Sequence, residues 1–410
     1  MPVNPPYDFP MKRRYEELGT NPVSTEPVIS AEYFEAERHA VFERSWLMVG
    51  RESELPNPGD FFVKRIAPWK STVVVARGRD GRINAFHDVC PHRGMHVCGR
   101  EQRGNRKFFT CGSHGWVFGL DGRVVGVSEE SWFHTLDKDR LRMPPVAVDS
   151  WEGFIFIHRD PAPAESLPEF LGEINIGYGG YFDDIFFKPV GRYEADVKMN
   201  YKFYLDSSVE AYHAGYTHLQ NNTGQNAKSG TALRLESSAT RLYRRHRTIG
   251  VPIGVGIRDL APIEGLAFKH GGAITPYDSR VKDRPLPSGI NSNRDENWAF
   301  DILEIYPNAI LFLSAPLYAV IGLWPSAVDR CRFEVEVYMN EPSNAAERVA
   351  LEYGLVSLRD VIREDLNIAE GSTDALASGA LKEMQLSDQE IAVRHSYSVL
   401  NQVMKDRLTR

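Results

Sequence analysis

Two short stretches of this 410-residue chain carry thiols and imidazoles at spacings that suit metal binding. CPHRGMHVC holds Cys90-x-His92, and CGSHGWVFGLDG holds Cys111-x-x-His114, with residues 93–110 between the two pairs. Each pair can hold one metal from a tight turn, and two turns side by side can hold two adjacent metals. Gly94, Gly112 and Gly115 suit loops whose backbone must approach a cluster closely; Pro91 stiffens the first loop, and Trp116 is placed to shield it. A zinc site could use the same four ligands. Zinc sites of the Cys2His2 type, however, usually pair Cys with Cys and His with His along the chain. Here each half mixes the two, which is the order expected of a [2Fe–2S] cluster with two cysteines on one iron and two histidines on the other. His96 and Cys98 fall inside the first loop and are left for packing or for support of the ligands, because the set is full without them.

A second stretch, VEAYHAGYTH at 209–218, gathers Glu210, His213 and His218. The two histidines are five residues apart, about 140° around a regular helix, so they do not share a helical face. Taken alone, two histidines this close are more often packed or solvated residues; they could converge on one metal only where the helix ends or distorts, as near Gly215 between them. The remaining histidines, among them His39, His87, His134, His158, His246, His270 and His395, show no partner pattern and read as structural or exposed.

Rigid elements must position these groups. ISAEYFEAERHAVFERSWLMVG offers Ser30 as an N-cap, then Phe34, Arg38, Val41, Phe42 and Trp46 at roughly helical spacing. From about Gly59 the period shortens: GDFFVKRI, STVVVARG, RINAFHDVC, KFFTC, WVFGLDGRVV and GFIFIHRD are β-branched and aromatic runs divided by Gly, Pro and Asp. They predict a small antiparallel β-module over about 40–160, with the Pro-rich PAPAESLPEF as a boundary. A helical stretch around NYKFYLDSSVEAYHAGYTH follows. Then comes a long polar section from Gln220 to Trp298 with little periodicity, a length more often a functional lid than a plain linker. A meander of strands follows, in which AILFLSAPLYAVIGLW divides into two buried strands. A late helix starts near Ser343, carries Leu351, Leu355, Leu358 and Ile362 on one stripe, and ends around Gly371.

The chain is longer than one core normally grows, so two domains are expected. Its composition, 42% hydrophobic and 25% charged, is that of a soluble globular protein. A net charge of −7 argues against nucleic-acid or anionic-membrane partners. The N-terminus lacks an apolar segment with a cleavage site, and the longest apolar run is broken by Ser314 and Pro316; neither secretion nor a membrane span is expected. Four cysteines then read as reduced thiols in a cytoplasm.

The CxH…CxxHGWxF pattern, the β-module around it, NYKFYLDSSVEAYHAGYTH and the acidic late helix together resemble the catalytic α subunits of Rieske non-haem iron ring-hydroxylating oxygenases, over essentially the whole chain. The resemblance implies an α+β chain: an all-β Rieske [2Fe–2S] domain at 40–160, and a helix-grip catalytic domain at 161–410, with an antiparallel sheet and flanking helices, to which an arm and helix at 1–39 also belong. It implies Cys90, His92, Cys111 and His114 as cluster ligands. It further implies a mononuclear Fe(II) held by His213, His218 and Asp365. Asp365, in REDLNIAEG, follows the apolar Leu358 and Ile362 by seven and three residues, which favours it over Glu364. Glu210 lies where the family usually carries an aspartate bridging an iron histidine to a Rieske histidine of the neighbouring subunit. The longer acid also occurs in members acting on N-alkyl or quaternary ammonium substrates. Asp206 aligns where relatives often have Asn, and reads as a further supporting group. O2 as co-substrate, electrons from a separate NAD(P)H-dependent reductase or ferredoxin, and a head-to-tail homotrimer of a bacterial cytoplasmic enzyme are implied with it. The expected activity is hydroxylation or oxidative dealkylation of an apolar, aromatic or N-alkyl small molecule, the alternatives being cis-dihydroxylation of an aromatic ring and, behind it, a Rieske electron-transfer protein without oxygenase activity, which would need only residues 40–160. Phe203, Tyr204, Leu205, Tyr216, residues 220–298 and the strands around Ile305, Phe312 and Trp324 are the candidate lining, without a cationic clamp for a carboxylate.

Overall fold

The computed structural model describes residues 15–99, 102–182, 189–218, 237, 239–252, 262–270, 286–295, 298–314, 317–339 and 341–408. The chain divides into two compact units, Glu37–Gly172 and a second made of Met1–Ala36 with Glu173–Arg410.

Glu37–Gly172 is built on an antiparallel sheet in the order Leu47–Arg51, Phe154–His158, Pro145–Trp151, Ile83–His87, Ser71–Arg77, Asp60–Ile66, Arg103–Asn105. A small sheet of Phe109–Thr110, Val117–Phe118 and Val124–Gly126 lies outside it. Val74, Ala76 and Phe86 from the large sheet meet Phe109, Trp116, Phe118 and Leu120 in one buried cluster. Phe109 stands edge-on to Phe61, with centroids 5.2 Å apart. Each such ring, fully buried, contributes about 1.5–3 kcal/mol. Cys90 and Cys111 belong to this same cluster, so the two thiol-bearing loops are seated directly on the core.

The second unit is a seven-stranded antiparallel sheet in the order Pro189–Val197, Arg330–Met339, Leu317–Ala327, Ala309–Ser314, Trp298–Ile305, Arg247–Pro252, Ala239–Leu242. Its N-terminal part contributes the first residues of helix α1 (Ala31–Ala40), where the Ser30 hydroxyl accepts from the Tyr33 N–H at 3.1 Å, and the short strand Val23–Ser24, which pairs with Glu383–Met384. Helix α2 (Tyr201–Ser208), helix α3 (Ala214–Thr217), helix α4 (Ala345–Ala377) and helix α5 (Ile391–Leu408) complete what positions the site. AILFLSAPLYAVIGLW does divide into two buried strands, Ala309–Ser314 and one starting at Leu317.

Two expectations about elements need correction. The late helix does not end around Gly371: its buried stripe runs on through Ala369 and Thr373, and α4 stops only at Ala377. Residues 220–298 are not a section without structure, since Ala239–Leu242 and Arg247–Pro252 are sheet strands and Pro262–Lys269 is a helix. The alternation there is hidden because the buried positions include Thr240, Arg247 and Thr248 beside Ile249 and Val251. The rest of that section lies outside the described residues.

α4 and α2 are locked together by side chains. Asn200 caps α2 by accepting from the Lys202 N–H at 3.1 Å, and its own N–H donates to Thr373 Oγ1 of α4 at 2.9 Å. The helix that carries Asp365 therefore also fixes the start of the helix that leads to Glu210 and His213.

Candidate metal centres

The two Cys/His loops are built alike. The Cys90 N–H donates to Met95 O at 2.8 Å and the Gly94 N–H to Cys90 O at 2.9 Å; the Cys111 N–H donates to Trp116 O at 2.8 Å and the Gly115 N–H to Cys111 O at 3.0 Å. Closing each loop this way needs a left-handed residue at the fourth position after the cysteine, and Gly94 (φ +80°) and Gly115 (φ +70°) supply it. Gly112 has no such requirement. The loops enclose a surface notch lined by Cys90, His92, Arg93, Gly94, Met95, Cys111, Ser113 and His114. Both thiols are buried, and burial together with the neighbouring Cys111 thiol raises Cys90 above its ordinary range. The imidazoles lie nearer the rim, His92 and His114 with centroids 4.5 Å apart, and His92 stacks at 5.1 Å and 7° on Trp116.

These four donors do not gather as a single tetrahedral ion would require. Among the described residues, the one group of three or more metal-binding side chains whose donor atoms all lie within 4.8 Å of one another is elsewhere, and this quartet forms no such group. Thiols paired with thiols and imidazoles with imidazoles, at two levels of one notch, fit a two-metal cluster. The buried Asp88, which sequence reasoning missed, organises the first loop: its Oδ1 accepts from the Val97 and Cys98 N–H groups at 2.7 and 3.0 Å, and Oδ2 lies 3.1 Å from His96 Nδ1. His96 and Cys98 are thereby tied to Asp88. Cys98 is itself buried, which pushes its thiol up to about 12. None of the four cysteines is in a disulfide.

His213 and His218 flank α3 rather than sharing a long helix. The break lies ahead of His213 and not at Gly215, which sits inside α3. α2 ends where the Val209 N–H turns back to Asp206 O at 3.2 Å, and Glu210 Oε2 then accepts from the backbone N–H of His213, the residue that precedes α3, at 3.0 Å. The histidine rings face each other at 77°, with Nε2 atoms 3.3 Å apart. Asp365 Oδ1, on the buried stripe of α4, lies 3.4 Å from His213 Nε2 and 3.3 Å from His218 Nε2.

The second nitrogen of each ring meets a carboxylate. Glu210 Oε1 is bonded to His213 Nδ1, and Glu364 Oε2 lies 2.8 Å from His218 Nδ1. A carboxylate accepts, so each Nδ1 donates and each Nε2 lone pair turns inward. Asp365 Oδ1 is buried with no hydrogen-bond donor. Three acceptors converging without a donor repel one another, and a cation is what satisfies them. Edges of 3.3–3.4 Å put the three donor atoms together on one side of such a cation, as a set of two histidines and one carboxylate requires. In the absence of an ion, a proton competes for the position: burial opposes charge on His213, but the Asp365 and Glu210 carboxylates outweigh it and raise the imidazole to about 10. Sequence reasoning passed over Glu364 because a helical stripe identifies the residue facing the core and not its neighbour about 100° round the turn.

The other candidates take varied places: Tyr204 is close enough to Asp365 for that carboxylate, after burial, to raise its phenol, and the Tyr216 N–H donates to His213 O at 2.8 Å. Asp206 accepts from Tyr397 Oη at 3.0 Å and makes no hydrogen bond to His213, His218 or Asp365. Phe203 packs against the cluster of Val28, Val209, Ile249, Val251, Ala392, Val393 and Tyr397. Phe312 is buried and stacks on Phe300 at 4.4 Å. Tyr216 is 60% exposed and meets Tyr212 edge-on. Tyr204 is buried against Phe333, and Leu205, Ile305 and Trp324 are buried too.

Residues 45–136 match the Rieske [2Fe–2S] domain family, and residues 185–406 match the family described as ring hydroxylating alpha subunit (catalytic domain). The chain is 31% identical over 192 residues to the carnitine monooxygenase oxygenase subunit of Acinetobacter baumannii, covering 46% of this chain and 50% of that one. It is 34% identical over 213 residues to the large oxygenase component of the naphthalene 1,2-dioxygenase system of Pseudomonas aeruginosa, covering 49% and 45%. The chain spans about half the length of the curated relatives it matches. In fold it is similar to a quaternary ammonium Rieske monooxygenase in complex with an inhibitor, with a TM-score of 0.72 at 20% identity over 98% of this chain and 99% of that one. It is also similar to naphthalene 1,2-dioxygenase from Rhodococcus sp. bound to indole, with a TM-score of 0.72 at 21% identity over 96% and 97%. No described helix is long and apolar enough to cross a membrane. With an N-terminal Rieske domain, a helix-flanked antiparallel catalytic domain and a His/His/Asp triad within it, the chain belongs to the ring-hydroxylating alpha-subunit family of Rieske non-haem iron oxygenases.

Proposed function

We propose that this chain is the terminal oxygenase of a multicomponent system, using O2 and electrons from a separate NAD(P)H-dependent reductase or ferredoxin to hydroxylate or oxidatively dealkylate an apolar, aromatic or N-alkyl small molecule. The observation that carries the reading is the convergence of His213 Nε2, His218 Nε2 and the donorless Asp365 Oδ1 in a chain that also carries the paired Cys/His loops. Cys90, His92, Cys111 and His114 would hold the cluster; His213, His218 and Asp365 would hold the iron. When bound, the cluster supplies single electrons and the mononuclear iron supplies open positions for O2 beside the substrate.

The chain's own groups then have separable tasks. Glu210 holds the Nδ1–H of His213 and so aims Nε2 at the metal position, while its other oxygen accepts from the His213 backbone N–H. We assign Glu210 also as the electron bridge toward His92 or His114 of a neighbouring subunit, in a head-to-tail ring of three. The reading allots residues 40–160 to electron uptake, and 1–39 with 161–410 to the mononuclear site. The likeness to carnitine monooxygenase and the glutamate at position 210 support dealkylation of an N-alkyl compound; the likeness to naphthalene 1,2-dioxygenase supports cis-dihydroxylation as the second reading. Product mass under 18O2 separates them. Dihydroxylation adds two labelled oxygens to the intact substrate and hydroxylation adds one, whereas dealkylation cleaves the C–N bond to an unlabelled amine and a carbonyl fragment that carries the one labelled oxygen.

Purified protein is expected to be red-brown, with about three iron atoms per chain. His213→Ala is expected to abolish turnover and the mononuclear metal while the cluster's visible absorption survives. A colourless zinc protein overturns the proposal, and loss of the absorption along with turnover would show that the two sites are misassigned.

A further inference from the structure

Glu364 stands outside the ligand set, yet its Oε2 lies 2.8 Å from His218 Nδ1, while its neighbour Asp365 lies 3.3 Å from Nε2 of the same ring. Consecutive residues on α4, about 100° apart around the helix, thus meet the two opposite nitrogens of one imidazole. We propose that Glu364 is a positioning residue for the mononuclear metal, the counterpart on His218 of Glu210 on His213. The inference rests on reading His213, His218 and Asp365 as the metal site.

The physical case has three parts. A neutral imidazole carries one proton, and a ring with no acceptor at Nδ1 is free to carry it at Nε2, where it blocks the ligand lone pair. Glu364 removes that freedom, so both histidines present Nε2 together. A carboxylate at Nδ1 also makes Nε2 the stronger donor. The Glu364 side chain is 19% exposed and that of His218 11%, so water screens the contact only in part. Finally, ligand and clamp come from one turn of one helix. Any rotation of α4 moves both ends of the His218 ring at once, and a slip of one residue would put the longer acid where the metal needs the shorter.

The test uses purified holoprotein reconstituted at the mononuclear site with Co(II), the cluster's absorption reporting that the chain is folded. Glu364→Ala is expected to weaken Co(II) binding, measured by chelator competition, about ten- to a hundredfold. Glu364→Gln keeps an oxygen acceptor but not the charge. It is expected to bind within about tenfold of the parent but to shift the Co(II) ligand-field bands, a change that a glutamate serving only to pack would not produce. If Glu364→Ala loses the absorption, Glu364→Gln decides alone. Parent-like affinity in Glu364→Ala, or unchanged bands in Glu364→Gln, overturns the proposal. Parent Co(II) binding that His213→Ala leaves intact would instead overturn the reading of the triad itself.

Discussion

Asp206 shows how a residue can be chosen correctly as unusual and still serve a different neighbourhood. It lies one helical turn before Glu210, but its Oδ2 accepts from Tyr397 and its Oδ1 is buried without a partner. Burial raises its carboxyl to about 8; the Tyr397 hydrogen bond, Arg247 and Lys202 oppose the rise and Glu304 adds to it. Nearby, the fully buried Arg247 bonds Glu304 at 2.5 Å and His395 Nδ1 at 3.3 Å, and His395 falls to about 3 through burial first, then Arg247 and His246. The signs differ. The folded Asp206 keeps a proton that the unfolded chain gives up, so its stabilisation is complete below about pH 4 and is lost as pH rises through about 8, at no more than about 1.4 kcal/mol per pH unit. The folded His395 stays neutral, so its contribution is complete above about pH 6.5 and is lost as pH falls toward 3. Asp206→Asn retains the acceptor for Tyr397. Its melting temperature is expected to match the parent at about pH 4 and to exceed it increasingly up to about pH 8, by circular dichroism; a pH-independent difference would refute the assignment. The paired Cys/His loops and the two histidines of the triad were legible in the sequence because each pair lies within a few residues. Glu364, Asp88 and the Asp206–Tyr397 contact were not, because only the fold decides which of two adjacent acids reaches a ring, or which helix meets a buried carboxylate.

At the scale of elements, α4 gives the sharpest contrast. Its apolar stripe was readable, and so was Asp365 on it, but the end was set too early at Gly371. A glycine signals a helix stop only where the backbone turns left-handed, and Gly371 does not; Gly379, with φ +67° and its N–H on Leu376 O at 2.9 Å, is the glycine that closes α4. Gly371 is exposed, and a Cβ there would meet nothing within 4 Å. Gly371→Ala is therefore expected to stabilise the chain by about 0.5–1 kcal/mol in denaturant unfolding, whereas Gly379→Ala, forced into the left-handed region, is expected to destabilise it by about 1–2 kcal/mol. Equal effects would mean that α4 ends elsewhere. The strands at 239–252 escaped for a related reason: Thr240, Arg247 and Thr248 occupy buried positions, and a pattern sought in apolar residues passes over buried polar ones.

On the scale of the whole molecule, the order of units along the chain bears on how electrons reach the iron. The catalytic unit takes residues from both sides of Glu37–Gly172, closed by the pairing of Val23–Ser24 with Glu383–Met384 and by Thr25 Oγ1 on Leu381 O at 2.9 Å. Two motifs in separate stretches made this division readable, since each needs its own scaffold; the proposed ring was readable only through resemblance, because one chain's sequence does not state which copy a bridging Glu210 serves. The proposal can be tested by mixing two dead chains. Cys111→Ala lacks the cluster but keeps the triad, and His213→Ala keeps the cluster but lacks the mononuclear metal. Co-expressed in equal amounts, they assemble at random. If electrons pass only within a chain, every mixture is inactive. If they cross a head-to-tail boundary in a ring of three, each mixed ring, about three-quarters of the total, has one productive boundary of three, and the preparation recovers about a quarter of the parent activity. Activity indistinguishable from zero, with mixed rings verified by two different affinity tags, would remove the inter-subunit role from Glu210 and leave it the orientation of His213 alone.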